Sequence, residues 1–191
     1  MTGRLFVISG PSGVGKGTLI SLARERLADV VVAVSATTRP QREGETDGRE
    51  YHFLDAAEFE RLVGEGAFLE HVTFAGHRYG TLRSEVERRL VDGESVVLEI
   101  DVPGAREIKR QLPEAVFVFI APPDLADLEE RLAGRGANTS EEIQARLAIA
   151  RDEIIAAGEF EHVIVNDNRE RAAAELESVM RAAMESEGAP R

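Results

Sequence analysis

Gly10-Pro11-Ser12-Gly13-Val14-Gly15-Lys16 follows the spacing G-x-x-x-x-G-K, the pattern of a loop that wraps nucleotide phosphates. The residue types suit that chemistry. Glycines let the chain turn sharply and offer successive N–H groups to phosphate oxygens. A helix beginning at the end of the loop adds the positive end of its dipole. Lys16 is placed to reach the β- and γ-phosphates. The next position usually carries Ser or Thr to hold magnesium, but here it is Gly17, and the hydroxyl comes one place later, at Thr18. Magnesium is therefore expected through Thr18, through water, or mostly on the nucleotide itself. The chain has only two lysines, Lys16 and Lys109, against 21 arginines. A compact ammonium at this one position points to a specific need for lysine.

A second group of polar residues lies downstream. Arg39 and Arg42 stand three apart in a Gly/Pro-containing loop, with Tyr51 and Tyr79, the only two tyrosines, beyond. Two guanidinium forks and two phenol hydroxyls suit a phosphate monoester. Glu43, Glu45, Asp47 and Glu50 are interspersed, so the segment alone reads equally as a solvated loop of ion pairs. Glu70, in the strand-like run Phe68-Leu69-Glu70-His71, could accept two parallel hydrogen bonds from the N1–H and N2–H₂ edge of guanine, with Ser35 and Thr81 adding hydroxyls. On its own pattern, Glu70 is a solvent-face strand residue. The histidines at 52, 71, 77 and 162 lack metal-ligand spacing and read as structural.

These residues need elements to hold them. Leu5 to Ile8 is a short apolar run ending in the glycine loop, as a buried strand followed by a turn would be. Leu19, Leu22, Ala23 and Leu27 then share a helical face. Val30–Val34, Ser95–Ile100, Ala115–Ile120 and His162–Val165 predict further strands. Helices are predicted around Ala105–Gln111, after Pro122-Pro123 with Leu125, Leu128 and Leu132 on one side, from Ser140 with Ile143, Leu147, Ala150 and Ile154 in register, and through Ala172, Leu176, Val179 and Ala183. Strand–helix alternation with fully apolar strands indicates an α/β fold with a parallel central sheet covered on both faces. Residues 34–89 break the alternation. Asp55 can cap a short helix there, with Phe59 and Leu62, and the rest predicts mainly antiparallel strands.

Composition narrows the function classes. The 191 residues carry 23 basic and 35 acidic side chains, a net charge of −12, with no cysteine and 43% hydrophobic residues. That length and apolar fraction fit one folded domain with a sizeable core. The absence of cysteine excludes disulfides, thiolate catalysis and thiolate zinc sites. The acidic balance argues against nucleic-acid polymers and anionic membranes as partners. No apolar run approaches bilayer length, and the first residues enter a strand-like stretch without a signal-peptide core, so a cytoplasmic protein is expected.

Taken in order, Ser9 to Lys16, Val34-Ser-Ala-Thr-Thr-Arg-Pro40, Arg42-Glu-Gly-Glu45, Tyr51-His-Phe53, Phe68-Leu-Glu70, Tyr79-Gly-Thr81, Glu99-Ile-Asp101, Ile120-Ala-Pro-Pro123, Arg131-Leu-Ala-Gly-Arg135-Gly136 and Val163-Ile-Val-Asn166 resemble the guanylate kinases. The resemblance covers about residues 4–183. It implies transfer of a phosphoryl group from ATP to GMP (and to dGMP) with Mg²⁺. The implied layout is a P-loop core (1–33, 90–130 and 151–187), an inserted GMP-binding lobe (about 34–89) and a helical lid (about 131–150). It further implies that Ser35, Glu70, Thr81 and Asp101 read guanine, and that Arg39, Arg42, Tyr51 and Tyr79 hold its phosphate. Gly10 to Thr18 would hold the ATP phosphates and Arg131 with Asn166 would flank adenine, while Lys16, Arg135 and Arg146 act on the transferring group. Three positions depart from the family pattern: Gly17 for the hydroxyl residue, Ala36 for a second serine, and Glu99 where others have Asp. A related kinase of ribose bisphosphates should lack the guanine readers, and a non-catalytic interaction module should lack the P-loop. Association into a homo-oligomer is left open by the sequence.

Overall fold

The structure is a computed structural model that describes residues 3–74, 76–133 and 139–186. Five parallel strands form the central sheet: β1 (Leu5–Ser9), β2 (Val30–Val32), β7 (Ser95–Glu99), β8 (Val116–Ala121) and β9 (His162–Val165), in the spatial order β2-β7-β1-β8-β9. The two-residue period of the strands divides their side chains between two cores. Phe6 and Ile8 pack with Leu19, Leu128, Leu147 and Leu176 on one face. Leu5 and Val7 pack with Val86, Ala105 and Ile108 on the other. The first face is covered by α1 (Lys16–Arg24), α5 (Leu125–Ala133), α6 (Ser140–Ile155) and α7 (Arg169–Glu185). The second is covered by α3 (Arg83–Val91) and α4 (Val102–Gln111). Burial on both faces explains why the strands are almost wholly apolar.

Between β2 and β7 the chain builds a second sheet from β3 (Ala36–Thr37), β4 (His52–Phe53), β5 (Phe68–Phe74) and β6 (His77–Leu82), in the order β4-β3-β6-β5. β6 runs antiparallel to both neighbours, but β3 and β4 pair in parallel. The expected strand over Phe68–Phe74 and the short helix α2 (Ala56–Gly64) are both present, and the Asp55 carboxylate accepts from Glu58 N. Phe59 of α2 stacks on Phe68 with ring centres 4.4 Å apart, forming a small separate core.

Three elements here are absent from the sequence reading. β3 is only two residues long. β6, His-Arg-Tyr-Gly-Thr-Leu, alternates poorly, yet Gly80 is what allows its close pairing: a Cβ there would stand 2.8 Å from Phe68 and 2.9 Å from Glu70 O. α3 is dominated by charge and buries Val86 alone. Its Glu85 accepts from both Arg88 and Arg89, the one-turn spacing that supports such a helix. In α6 the cap is Thr139, which forms a reciprocal capping box with Glu142.

Candidate nucleotide site

β1 delivers the chain into the phosphate loop at the C-terminal edge of the central sheet, where ligands of open α/β sheets bind. The loop is glycine-dependent for two reasons. Gly10 and Gly15 have φ of 142° and 98°. Close neighbours add to that: a Cβ on Gly10 would lie 2.2 Å from Ile120 O in β8, and one on Gly15 2.8 Å from Asn166 Nδ2. α1 then begins with Gly15 as its N-cap, with no side-chain cap and no acidic residue in its first turn. Its first N–H groups and its dipole are left for an anion.

Three side chains fix the loop's shape. Asn166 Nδ2 donates to Val14 O at 2.8 Å, and Arg131 donates to Val14 O at 3.2 Å and to Asn166 O at 2.8 Å. Lys16 Nζ donates to Gly10 O at 2.5 Å and to Pro11 O at 3.2 Å, folded over the concavity of the loop. Arg131 also pairs with Asp127 one turn earlier on α5. Arg131 and Asn166 therefore brace the phosphate loop itself, a contact that spacing alone did not indicate.

The lobe presents a second cluster. Arg39 makes a bidentate pair with Glu45 at 2.7 and 3.0 Å, and its guanidinium lies 5.3 Å from the centre of the Tyr51 ring. Tyr51 and Tyr79 meet edge to face at 6.0 Å. Glu45 also accepts from Arg42 N at 2.8 Å, while the Arg42 side chain is exposed. Hydrogen bonding to Arg39 holds the Glu45 carboxyl below the usual carboxylate range. The loop is thus built by ion pairs, and those pairs organise Arg39 beside the two phenols.

Glu70 is not on a solvent face. It is 5% exposed and Thr81 is fully buried; Thr81 Oγ1 donates to Glu70 Oε1 at 2.7 Å. The reason is tertiary: α4 lies over β5 at this point. Glu70 Oε2 and Asp101 Oδ1 would stand 3.2 and 3.0 Å from a Cβ on Gly104, so both carboxylates converge on that glycine. Asp101 also caps α4 by accepting from Gly104 N at 2.8 Å. Burial pushes the Glu70 carboxyl up to about 7, with Asp101 and Glu107 adding to the rise and the Thr81 hydroxyl opposing it. Ser35, half-buried, precedes β3, and its carbonyl accepts from His52 N.

A match to known proteins fits this arrangement of loop, phenol–arginine cluster and buried carboxylate. The guanylate kinase family profile matches residues 2–183. The chain belongs to the guanylate kinase family. It is 53% identical over 176 residues to a guanylate kinase of Frankia casuarinae, covering 92% of this chain and 96% of that protein. It is 51% identical over 173 residues to a guanylate kinase of Thermobifida fusca, covering 91% and 88%. The crystal structure of guanylate kinase from Anaplasma phagocytophilum superposes with a TM-score of 0.75 at 32% identity, covering 96% of this chain and 87% of that one.

Arg146 is half-buried on α6, and Arg135 lies outside the described residues. Two residues beside these clusters, Glu153 and Gln111, carried no functional reading in the sequence. Glu153, half-buried on α6, has its carboxyl pushed up to about 7 by burial, with Lys16 opposing and Asp101 adding to the rise. Its signal was positional: it lies three residues after buried Ala150, on the same helical face. Gln111 Nε2 donates to Leu69 O at 2.8 Å and Gln111 Oε1 accepts from Arg83 at 2.7 Å, tying α4 to β5 and α3. Glu99, one of the three departures from the family pattern, stands over Gly17, with Oε2 3.2 Å from where a Cβ would be.

Among the described residues no cluster of three or more His, Asp or Glu side chains could hold a metal ion, and no helix is long and apolar enough to cross a membrane. Beside the loop, an exposed carboxylate, Glu99, and an exposed hydroxyl, Thr18, are open to a divalent ion. That sparse oxygen set fits Mg²⁺, which keeps several waters and is bound by one or two protein groups together with substrate phosphates.

Proposed function

We propose that this chain transfers the γ-phosphoryl group of ATP to GMP, giving ADP and GDP, with dGMP as a second acceptor and Mg²⁺ accompanying the nucleotide in the cytoplasm. The observation that carries the acceptor's identity is the buried Glu70 carboxylate with the Thr81 hydroxyl on one oxygen and its other oxygen directed towards Gly104. A carboxylate so held matches the paired N–H donors of guanine. Adenine and pyrimidines lack that pair of adjacent donors.

The remaining roles follow from the resemblance to guanylate kinases. Ser35 and Asp101 add contacts at the guanine edge. Arg39, Arg42, Tyr51 and Tyr79 take the GMP phosphate, whose dianion suits a guanidinium backed by phenols. Residues 10–18 surround the ATP phosphates, and Arg131 and Asn166 keep the loop in shape beside the adenine. Lys16 leaves its carbonyl partners for the phosphates when ATP arrives. Thr18 and Glu99 would help to hold magnesium when it accompanies ATP, and the ion would supply neutralisation of charge on the phosphates.

Phosphoryl transfer of this kind needs alignment and charge neutralisation more than covalent chemistry. No covalent intermediate and no dedicated general base are required. The lobe of residues 34–89 brings GMP against the core, and the lid of residues 131–150 brings Arg135 and Arg146 onto the transferring group, excluding water. The test is ADP release from ATP in the presence of GMP, dGMP, AMP and UMP. Release that depends on GMP and dGMP is expected; release independent of GMP overturns the reading.

A further inference from the structure

One carbonyl of the phosphate loop collects donors from two distant parts of the chain. Val14 O accepts from Asn166 Nδ2 at 2.8 Å and from Arg131 Nη1 at 3.2 Å. Asn166 follows β9 and Arg131 lies in the last turn of α5, 152 and 117 positions away along the chain. The two donors also hold each other, since Arg131 Nη2 donates to Asn166 O at 2.8 Å. Asp127 pairs with Nε, so each nitrogen of the guanidinium has its own partner. Asn166 is 6% exposed, and water does not compete for its amide.

Fixing that carbonyl fixes a donor. The Val14–Gly15 peptide is trans, and in a trans peptide the C=O and the following N–H point in opposite directions. With Val14 O drawn outward against Asn166 and Arg131, the Gly15 N–H is turned inward, towards the concavity that Lys16 Nζ covers. The Gly15 N–H has no acceptor among the described residues, whereas the Val14 N–H already donates to Pro11 O at 3.2 Å. A glycine adopts both signs of φ about equally, so the backbone alone does not choose this orientation. Gly15 stands at φ 98°. A half-turn of the peptide would carry it to negative φ and aim the Val14 oxygen, with its partial negative charge, at the phosphates.

Resting on the kinase reading above, we infer that Asn166 and Arg131 are positioning residues for phosphate binding: they hold the Val14–Gly15 peptide with its N–H facing the ATP phosphates before the nucleotide arrives. They act through the loop peptide, independently of any contact with adenine. The donor is oriented in advance, so binding does not have to turn it. Because the two side chains share one acceptor, each alone holds the peptide less firmly, and removal of both releases it.

The test uses the full chain and tripolyphosphate, which carries the phosphates of ATP without adenine. Calorimetry measures its affinity beside those of ATP and GMP in the wild type, Asn166→Ala, Arg131→Met and the double variant. Loss of one hydrogen bond is expected to weaken tripolyphosphate about 2- to 10-fold. The double variant should lose more than the product of the single losses, and GMP affinity should stay unchanged throughout. In the ¹⁵N-labelled chain, the change in the Gly15 amide resonance on adding tripolyphosphate should shrink in the same order. Asn166→Ala is decisive, since it alters no charge; the single variants suffice if the double variant does not fold. Unchanged tripolyphosphate affinity in Asn166→Ala overturns the proposal, also when ATP alone is weakened, as a mere adenine contact would have it. An equal loss for GMP overturns it too, because general damage then explains the effect. Failure of the kinase reading is seen separately, as wild-type ADP release that does not depend on GMP.

Discussion

The Thr81 hydroxyl donates to the Glu70 carboxylate at 2.7 Å in a place where Thr81 is fully buried and Glu70 is 5% exposed. The pair stands directly opposed across β5 and β6. No ion pair to Glu70 forms among the described residues, and Asp101 and Glu107 both push its pKa up. A carboxyl group so placed, at about 7 against an ordinary 4.5, keeps its proton in the empty site at mildly acid pH.

Guanine needs the anion, since only a carboxylate accepts from both N1–H and N2–H₂. GMP binding should therefore expel a proton near neutrality. The KM for GMP is expected to fall as pH rises from 6 to 8, with the KM for ATP changing less. Steady-state kinetics across that range, with each nucleotide varied in turn, checks it. A flat KM for GMP contradicts the assignment of Glu70.

The same shift has a consequence for stability, with a definite sign. A carboxyl raised from 4.5 to about 7 binds more protons folded than unfolded between those values. Its contribution to stability is therefore lost as pH rises through that window. At about 1.4 kcal/mol per pKa unit the ionised group costs roughly 3 kcal/mol above pH 7. Glu70→Gln should raise the Tm at pH 8, show little difference at pH 4, and weaken GMP binding more than ATP binding. Thermal unfolding at the two pH values measures the first part; equal loss of both nucleotides contradicts the second.

Gln111 reaches from α4 to the carbonyl of Leu69, the residue before Glu70. Gln111→Leu should leave that carbonyl without its donor and let β5 drift from α4. A hydrogen bond of this kind contributes about 0.5–1.5 kcal/mol, so the KM for GMP should rise roughly 2- to 10-fold with the KM for ATP unchanged. Initial-rate kinetics separate the two.

Arg39 is held as a planar fork by both oxygens of Glu45 and lies over Tyr51. Lysine keeps the charge but loses the fork and the stacking. Arg39→Lys should raise the KM for GMP by at least about tenfold, a loss of 1.4 kcal/mol or more. Glu45→Gln should give a smaller rise in the same constant. Equal effects on ATP and GMP would place Arg39 outside the acceptor site.

Phe59 is fully buried and stacks on Phe68 in the core between α2 and the second sheet. Phe59→Ala should cost about 3–5 kcal/mol, as truncation of a buried aromatic does. The loss falls on the lobe, so GMP binding should weaken before ATP binding as urea is raised. Urea titrations followed with each nucleotide check that order.

The local chemistry was legible in the sequence. A P-loop is defined by short-range needs, glycine at left-handed positions and lysine at the helix start, and Gly10 to Lys16 display them in a row. The parallel sheet was legible too, because strands buried on both faces must be apolar throughout. The charged helix α3 and the strand β6 were not, since their hydrophobic signal is carried by single residues, Val86 and the backbone space at Gly80. Only the tertiary structure decided the state of Glu70: a strand residue between Leu69 and His71 has no local mark of burial until α4 covers it. The approach of the Glu99 carboxylate to Gly17 was likewise invisible along the chain, because the nearness of residues 82 positions apart depends on which strand lies beside β1.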